Sequence, residues 1–278
     1  MAQSLFISDL HLSEDTPHIE QGLTTFLEQE GDIDRLFLLG DIFEAWIGDD
    51  DDSPLAQRFA DSMKRIADRG TQIYFTRGNR DFLVGQNYLD QFGATLLGDS
   101  VCIEVAGEST LLMHGDLLCS DDVDYLAFRA IAHNPEWQAE MLRKSLDERR
   151  ALARQLRTMS KEAASNKAED IMDVNDDTVR SVMEEHGVTR LIHGHTHRPC
   201  RHPLQTPSES CWATGIRPAG ACANKEHRWS YASSRFNCTA SNYRYATVKA
   251  NLGILTLNEL PFHRAEQSET ILHNACVL

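Results

Sequence analysis

The stretch "LFLLGDIFEAWIGDDDD", residues 36–52, changes character twice. Its first four residues are apolar without interruption and too few for a helix, so they read as a short strand buried on both faces. Gly40-Asp41 follows at the carboxyl end. The chain then runs through Trp46 into four aspartates, Asp49 to Asp52. A buried strand ending in Gly-Asp is informative because open α/β sheets bind ligands just outside the carboxyl ends of their strands.

Working outward, the same unit recurs. "LFISDLHL" (5–12) is an apolar run that ends in Asp9-x-His11. "TQIYFTRGNRD" (71–81) is a strand followed by Gly78-Asn79-Arg80-Asp81. "VCIEVAGESTLLMHGD" (101–116) reads as a hairpin whose second strand ends at His114-Gly115-Asp116. "TRLIHGHTH" (189–197) is a strand running into Gly194-His195-Thr196-His197. Between these units lie helical patterns: 17–30, with Ile19, Leu23, Phe26 and Leu27 on one face; 54–69, closed by Gly70; and 168–188, closed by Gly187. Residues 121 to 160 are mostly helical and highly charged. Strand, polar loop and helix in rotation predict an α/β sheet.

At 278 residues the chain has room for one large α/β domain or two small ones. It contains no run of 18 or more apolar residues, the length a membrane-spanning helix needs. Met1-Ala2-Gln3-Ser4 lacks the charged start of a secretory signal, so a cytosolic protein is expected. A formal charge of −15 argues against a general nucleic-acid binder. An anionic substrate would have to meet metal ions or a local basic cluster. The seven cysteines form no Cys-x-x-Cys and are expected to be reduced thiols.

A single Asp or His at a strand end is ordinarily a cap or a loop hydrogen bonder. Five such loops in order, each at the end of a strand, argue for one shared site. The order Asp-x-His, Gly-Asp, Gly-Asn-Arg-Asp, His and Gly-His-x-His resembles the calcineurin-like metallophosphoesterase superfamily. The resemblance implies a β sandwich flanked by helices, in α/β/β/α layers, with two metal ions at one end. It also implies that Asp9, His11, Asp41 and His197 hold one ion, that Asp41, Asn79, His114 and His195 hold the other, and that Asp41 bridges them. Mixed imidazole and carboxylate donors suit Mn, Fe or Zn rather than Ca or Mg alone. Two divalent ions bring about +4 and the two aspartates remove 2, which leaves roughly +2 to draw a phosphate ester into an acidic protein.

Arg80 stands where most of that superfamily has a histidine that protonates the leaving group. Arginine cannot act as a general acid near neutrality. It can fork two donors onto phosphate oxygens. Losing the acid is tolerable when the leaving group is itself a phosphate, so Arg80 favours a diphosphate substrate over an alkyl ester.

The longer blocks, among them "LGDIFEAWIGDDD", "YFTRGNRDFLVG", "LLMHGDLLCSDDVDYLAFR" and "LIHGHTHRP", resemble the pyrophosphohydrolases of lipid A biosynthesis over residues 4–199. That resemblance implies hydrolysis of the diphosphate of UDP-2,3-diacylglucosamine to UMP and the lipid 1-phosphate. It further implies two Mn²⁺ ions and attachment to the cytoplasmic face of the inner membrane. Residues 121–170 then read as a helical lid between core segments 1–120 and 171–200. Asp122, Tyr125, Arg157, Ser160 and Lys167 are its candidate substrate contacts, with Asn79, Arg80 and His195 at the phosphates. Taken one at a time, the lid residues equally fit a solvated helix surface. Ala164 departs from the Asn usual in that family. The lid sequence also offers Trp137, Met141, Leu142, Leu146, Leu152, Leu156 and Met159 beside several arginines. That composition fits weak, peripheral contact with anionic lipid, and equally packing on the core.

The remaining polar residues carry plainer expectations. His193 reads as a core or supporting histidine. Asp81 and Asp116 read as carboxylates that orient ligand histidines. Asp49 to Asp52 lack the spacing of an EF-hand loop and read as a solvated acidic loop. Trp46 reads as core or cleft wall. From 201 to 242 the apolar periodicity fails and no strand is expected; a shifted reading frame and a disordered insertion both fit that composition. A strand pair is expected again within 243–278. Two other functions stay open at this point: a different dimetal phosphoesterase, acting on dinucleotides or cyclic nucleotides, and an inactive scaffold of the same fold.

Overall fold

The computed structural model describes residues 3–31, 33–165, 171, 173–197, 200–205, 210–215, 244–246 and 275–277. The elements run β1 (Ser4–Ile7), α1 (Pro17–Gln29), β2 (Arg35–Leu39), α2 (Pro54–Ala67), β3 (Gln72–Thr76), α3 (Gln86–Leu89), β4 (Thr95–Leu96), β5 (Ser100–Val105) and β6 (Glu108–Met113). They continue with α4 (Val123–Ala132), α5 (Pro135–Leu142), α6 (Leu146–Ser165), α7 (Asp176–Glu185), β7 (Arg190–His193), β8 (Cys200–Gln205), β9 (Ser210–Gly215), β10 (Arg244–Ala246) and β11 (Ala275–Val277).

Two sheets result. One has the order β10-β11-β1-β2-β3-β4 and the other β5-β6-β7-β9-β8. The strands that end in the first three polar loops, β1, β2 and β3, are parallel neighbours. So are β6 and β7, which end in the other two.

Period-two alternation explains why the sheets stack. Leu5, Ile7, Leu36, Leu38, Ile73 and Phe75 point to one face of the first sheet and pack with Leu23, Phe26, Phe59 and Met63 of α1 and α2. Phe6, Phe37 and Leu39 point the other way and meet Val105, Leu112 and Ile192 of the second sheet. Phe6, Phe37 and Tyr74 stack in a row across that interface, with centroids 4.9 and 4.8 Å apart. Leu111, Met113 and Leu191 face Val179 and Met183 of α7. The layers are therefore helix, sheet, sheet, helix, as the resemblance implies. β1 and β2 are apolar along nearly their whole length because both of their faces are covered.

Local signals mark the helix starts. Ser53 caps α2 by accepting from the Ala56 amide at 3.2 Å, and Pro54 fills the first turn. The last helix starts later than its pattern suggests: Asn175 Oδ1 accepts from the amides of Asp177 and Thr178, and α7 begins at Asp176.

The larger correction concerns 201–242, where no strand is expected. The structure has β8 and β9 there, paired antiparallel, with β9 parallel to β7. Backbone pairing with an established neighbour replaces the missing apolar periodicity. In the final segment, β10 and β11 pair with each other, and β11 runs antiparallel to β1. Of the strand pair expected from "YATVKANLGILTLNELPF" (245–262), only Tyr245 and Ala246, in β10, fall among the described residues.

Candidate metal centre

Six non-glycine residues among those described have a left-handed backbone. Five are Asp9, His11, Asp41, His195 and His197, at φ 57, 50, 53, 70 and 54°; the sixth, Ala106, turns the β5–β6 hairpin. This conformation costs an L-residue about 1–3 kcal/mol and survives only where its surroundings over-determine it. Here they do. The amide of Asp9 donates to Gly40 O at 3.1 Å and that of His11 to Asp41 O at 3.0 Å. The Leu12 amide donates to Ile42 O at 2.8 Å, the Glu44 amide to Leu12 O at 3.0 Å, and Gly194 N to His114 O at 2.7 Å. Each strand thus ends in a sharp turn that throws its polar side chain into a common cleft.

Close approach fixes the rest. A Cβ at Gly78 would overlap the Asp41 carboxylate and amide; at Gly194 it would overlap Ser8 and Asp9. Asp9 is fully buried, accepts from the His195 amide at 2.9 Å and takes a short bond from the Ser8 hydroxyl. Asp41 Oδ1 accepts from the Arg80 amide at 2.8 Å.

The side chains form two donor groups. Asp9, His11 and His197 make one; Asp41, His114 and His195 make the other. In each, the ligand atoms lie within 4.8 Å of one another. His11 Nε2 and His197 Nε2 face each other at 3.1 Å. Asn79 Oδ1 stands 3.0 Å from His114 Nε2 and 2.9 Å from His195 Nδ1, so it belongs to the second group. Asp41 Oδ1 is 3.6 Å from His114 Nε2 while Oδ2 is 3.9 Å from His11 Nε2, so its two oxygens serve different groups. Nitrogen and oxygen donors crowded this way fit divalent cations, which would take the imidazole lone pairs and offset the carboxylates together.

Electrostatics agrees. Burial alone would lower the pKa of His114, but Asp41 and Asp9 lift it to about 9. Burial and the charge of His114 push His195 down to about 4. Burial would raise Asp9, yet His197 and His114 hold it well below the carboxylate range.

Asp81 has a different task from the one expected. Burial and the neighbouring Asp41 raise its carboxyl to about 6. Its oxygens accept from the backbone of Gly78 at 2.7 Å, Ile42 at 2.8 Å and Asp41 at 3.2 Å. It ties two ligand loops together through their amides and touches no histidine ring. Asp116 takes the Tyr125 hydroxyl in a short bond and Arg129 Nε at 2.6 Å. His193 is buried and its Nδ1 lies 2.9 Å from Gly194 O, apart from both donor groups, as a supporting residue should be. Trp46 is core, its ring tilted against those of Phe43 and Tyr88.

The cleft is walled by Arg80 and Arg157 above the donors. Arg80 Nε lies 3.9 Å from Asp41 Oδ2 and its Nη1 donates to Ser160 Oγ of α6 at 3.1 Å. The structure therefore brings Asn79, Arg80, Arg157, Ser160 and His195 together. Asp122 and Tyr125 stand at the start of α4 instead. Asp122 caps that helix by accepting from the Tyr125 amide at 3.0 Å, and the Tyr125 ring lies 6.0 Å from His195. Lys167 lies outside the described residues.

The acidic loop is not merely solvated. Asp49 accepts from the amides of Gly85 at 2.7 Å and Tyr88 at 3.1 Å. Asp50 receives the buried Arg149 of α6 at 2.7 Å, and that arginine also donates to Ile47 O at 2.7 Å. Arg150 pairs with Asp51 and Asp52. Sequence reasoning also missed Glu44. Its Oε2 lies 3.1 Å from His11 Nδ1, without the alignment of a formed hydrogen bond, while its Oε1 accepts from Arg157 Nε at 2.7 Å. Burial would raise Glu44, but His11 and Arg157 bring it down to about 2. No local spacing flags this residue, because Arg157 is 113 positions away.

The model of the calcineurin-like phosphoesterase family matches residues 3–199. A UDP-2,3-diacylglucosamine hydrolase of Cellvibrio japonicus (strain Ueda107) is 51% identical over 202 residues, which is 72% of this chain and 84% of the relative. One from Chromohalobacter salexigens is 49% identical over 72% of this chain and 81% of its own. One from Klebsiella pneumoniae is 48% identical over 75% and 88%. With the sandwich, the ordered ligand loops and these relatives in agreement, the chain belongs to the calcineurin-like phosphoesterase family, in the branch of the UDP-2,3-diacylglucosamine hydrolases.

Proposed function

We propose that this chain hydrolyses the diphosphate of UDP-2,3-diacylglucosamine to UMP and 2,3-diacylglucosamine 1-phosphate, a step of lipid A biosynthesis. The observation that carries the reading is the pairing of two donor groups across Asp41 with a half-buried arginine, Arg80, in the general-acid position. Divalent ions bound by these groups supply Lewis acidity and a water of lowered pKa. Asp9, His11, Asp41 and His197 are the proposed ligands of one ion, and Asp41, Asn79, His114 and His195 those of the other. Mn²⁺ is the proposed ion, in keeping with the mixed imidazole and oxygen donor set.

Water attacks the phosphorus on the uridine side, and the bond to the bridging oxygen breaks. The lipid phosphate leaves with its electron pair and needs no proton. Arg80 and Arg157 line the cleft where the diphosphate oxygens would sit and can neutralise their charge. Ser160 steadies Arg80 from the lid. Asp122, Tyr125 and Lys167 remain proposed contacts of the uridine and sugar.

Peripheral contact with an anionic membrane is the proposed setting. It is supported by the apolar side chains that the lid exposes, Val123, Ile131, Leu142 and Met159. No helix among the described residues is long and apolar enough to cross a membrane.

The deciding assay is Mn²⁺-dependent release of UMP from UDP-2,3-diacylglucosamine, beside Asp41→Asn and Arg80→Ala. UMP release untouched by either change would refute the assignment.

A further inference from the structure

Glu44 sits where the two halves of the site meet. Its backbone is fixed by the short pairing of residues 41–44 with residues 11 and 12, which includes the bridge between Leu12 and Phe43. From there one carboxylate oxygen lies 3.1 Å from His11 Nδ1. The other takes two nitrogens of Arg157, Nε at 2.7 Å and Nη2 in a shorter contact. His11 presents Nε2 to the donor group, 3.1 Å from His197 Nε2. An imidazole that gives Nε2 to a cation must carry its proton on Nδ1, and a carboxylate there fixes the tautomer, the ring plane and the basicity. Arg157 belongs to α6, so the same carboxylate also sets where a lid arginine stands over the cleft.

We propose that Glu44 is a positioning residue that couples the Asp9–His11–His197 donor group to the lid, one oxygen for His11 and one for Arg157. It rests on the ligand assignment proposed above. In the substrate-free protein Glu44 holds Arg157 beside the first donor group. A phosphate that recruits Arg157 then leaves the carboxylate to His11 alone. Occupancy of that donor group and placement of the lid helix thus become linked through one side chain. Glu44 touches no reacting atom in this scheme.

The test uses the full-length, substrate-free protein. Mn²⁺ binding is followed by electron paramagnetic resonance titration, and amide exchange is followed over residues 146–165. Glu44→Ala should weaken Mn²⁺ at one of two sites by about 10- to 100-fold, leave the other site unchanged, and speed exchange in α6. Arg157→Ala should speed exchange and tighten Mn²⁺ at that same site, because the carboxylate is then left to His11 alone. Glu44→Gln keeps an acceptor for His11 but loses the charge that holds Arg157, so it should recover most of the Mn²⁺ affinity and none of the exchange protection. Wild-type Mn²⁺ affinity at both sites in a folded Glu44→Ala protein would overturn the proposal. So would equal loss at both sites, or loss of affinity in Arg157→Ala. Asp41→Asn is the control for the ligand assignment. If it leaves Mn²⁺ binding intact, the assignment has failed, an outcome separate from any result at Glu44.

Discussion

The ligand loops and the lid are neighbours held together by different forces. The loops are fixed by buried backbone hydrogen bonds, by glycines that admit no Cβ, and by a buried carboxylate, Asp81, that gathers the amides of Gly78 and of residues 41–43. Helix α6 of the proposed lid is fixed by charge pairs, most with a partner open to solvent: Arg149 with Asp50, Arg150 with Asp51 and Asp52, and Arg157 with Glu44. The first kind of contact is short-ranged and insensitive to salt. The second is Coulombic, partly screened and reversible. The proposed metal site needs its donors placed before the ions arrive, whereas the proposed lid over a large substrate would have to move. The difference between the regions matches those two demands.

Asp41→Asn strikes that contrast hardest. It should abolish UMP release and sharply lower bound metal, measured by elemental analysis, while amide exchange in α6 stays at the wild-type level. Loosening of α6 as well would show that the two regions are one cooperative unit. Next is Arg80→Ala, which removes a group that touches both regions; kcat should fall by about 10²–10³-fold, with KM read from the same progress curves. Gly78→Ala should follow, because its Cβ must displace Asp41; metal affinity should drop by about tenfold or more with little change in lid exchange.

The smallest effects belong to the charge pairs. Raising salt to about 1 M, where the Debye length is about 3 Å, should speed exchange in α6 and leave the ligand loops protected. Arg149 holds the Asp50 carboxyl below its usual range. That contribution is present above the ordinary aspartate value of about 4 and is lost as pH falls through the lowered one. Lid protection should therefore decline on acidification before the core unfolds, as hydrogen exchange at stepped pH would show. Protection that is constant down to core unfolding would contradict it.

Much of this was legible in the sequence, for reasons that particular residues make plain. The strands could be read because Leu36 to Leu39 are apolar without a break, and that is what two covered faces require. The ligands could be read because each follows its strand within one to four residues. Glu44 and Asp50 could not be, since their partners in α6 are defined only once the lid has docked. Asp81 was assigned a side-chain partner when its partners are amides, which no spacing of residue types reveals. The strands at Cys200–Gln205 and Ser210–Gly215 escaped notice because their pairing is a property of the backbone and their composition carries no alternation.

The left-handed backbone of Asp9, His11, Asp41, His195 and His197 has a practical consequence for anyone building inactive variants. Alanine at these positions would change two things at once: it removes the donor and places an ill-suited residue in a turn that the neighbouring loops depend on. Asparagine tolerates positive φ better than most residues. It keeps the turn while removing the charge or the imidazole. Substrate trapping at this centre should accordingly start from Asn replacements, and any Ala variant that fails to fold should be blamed first on its backbone.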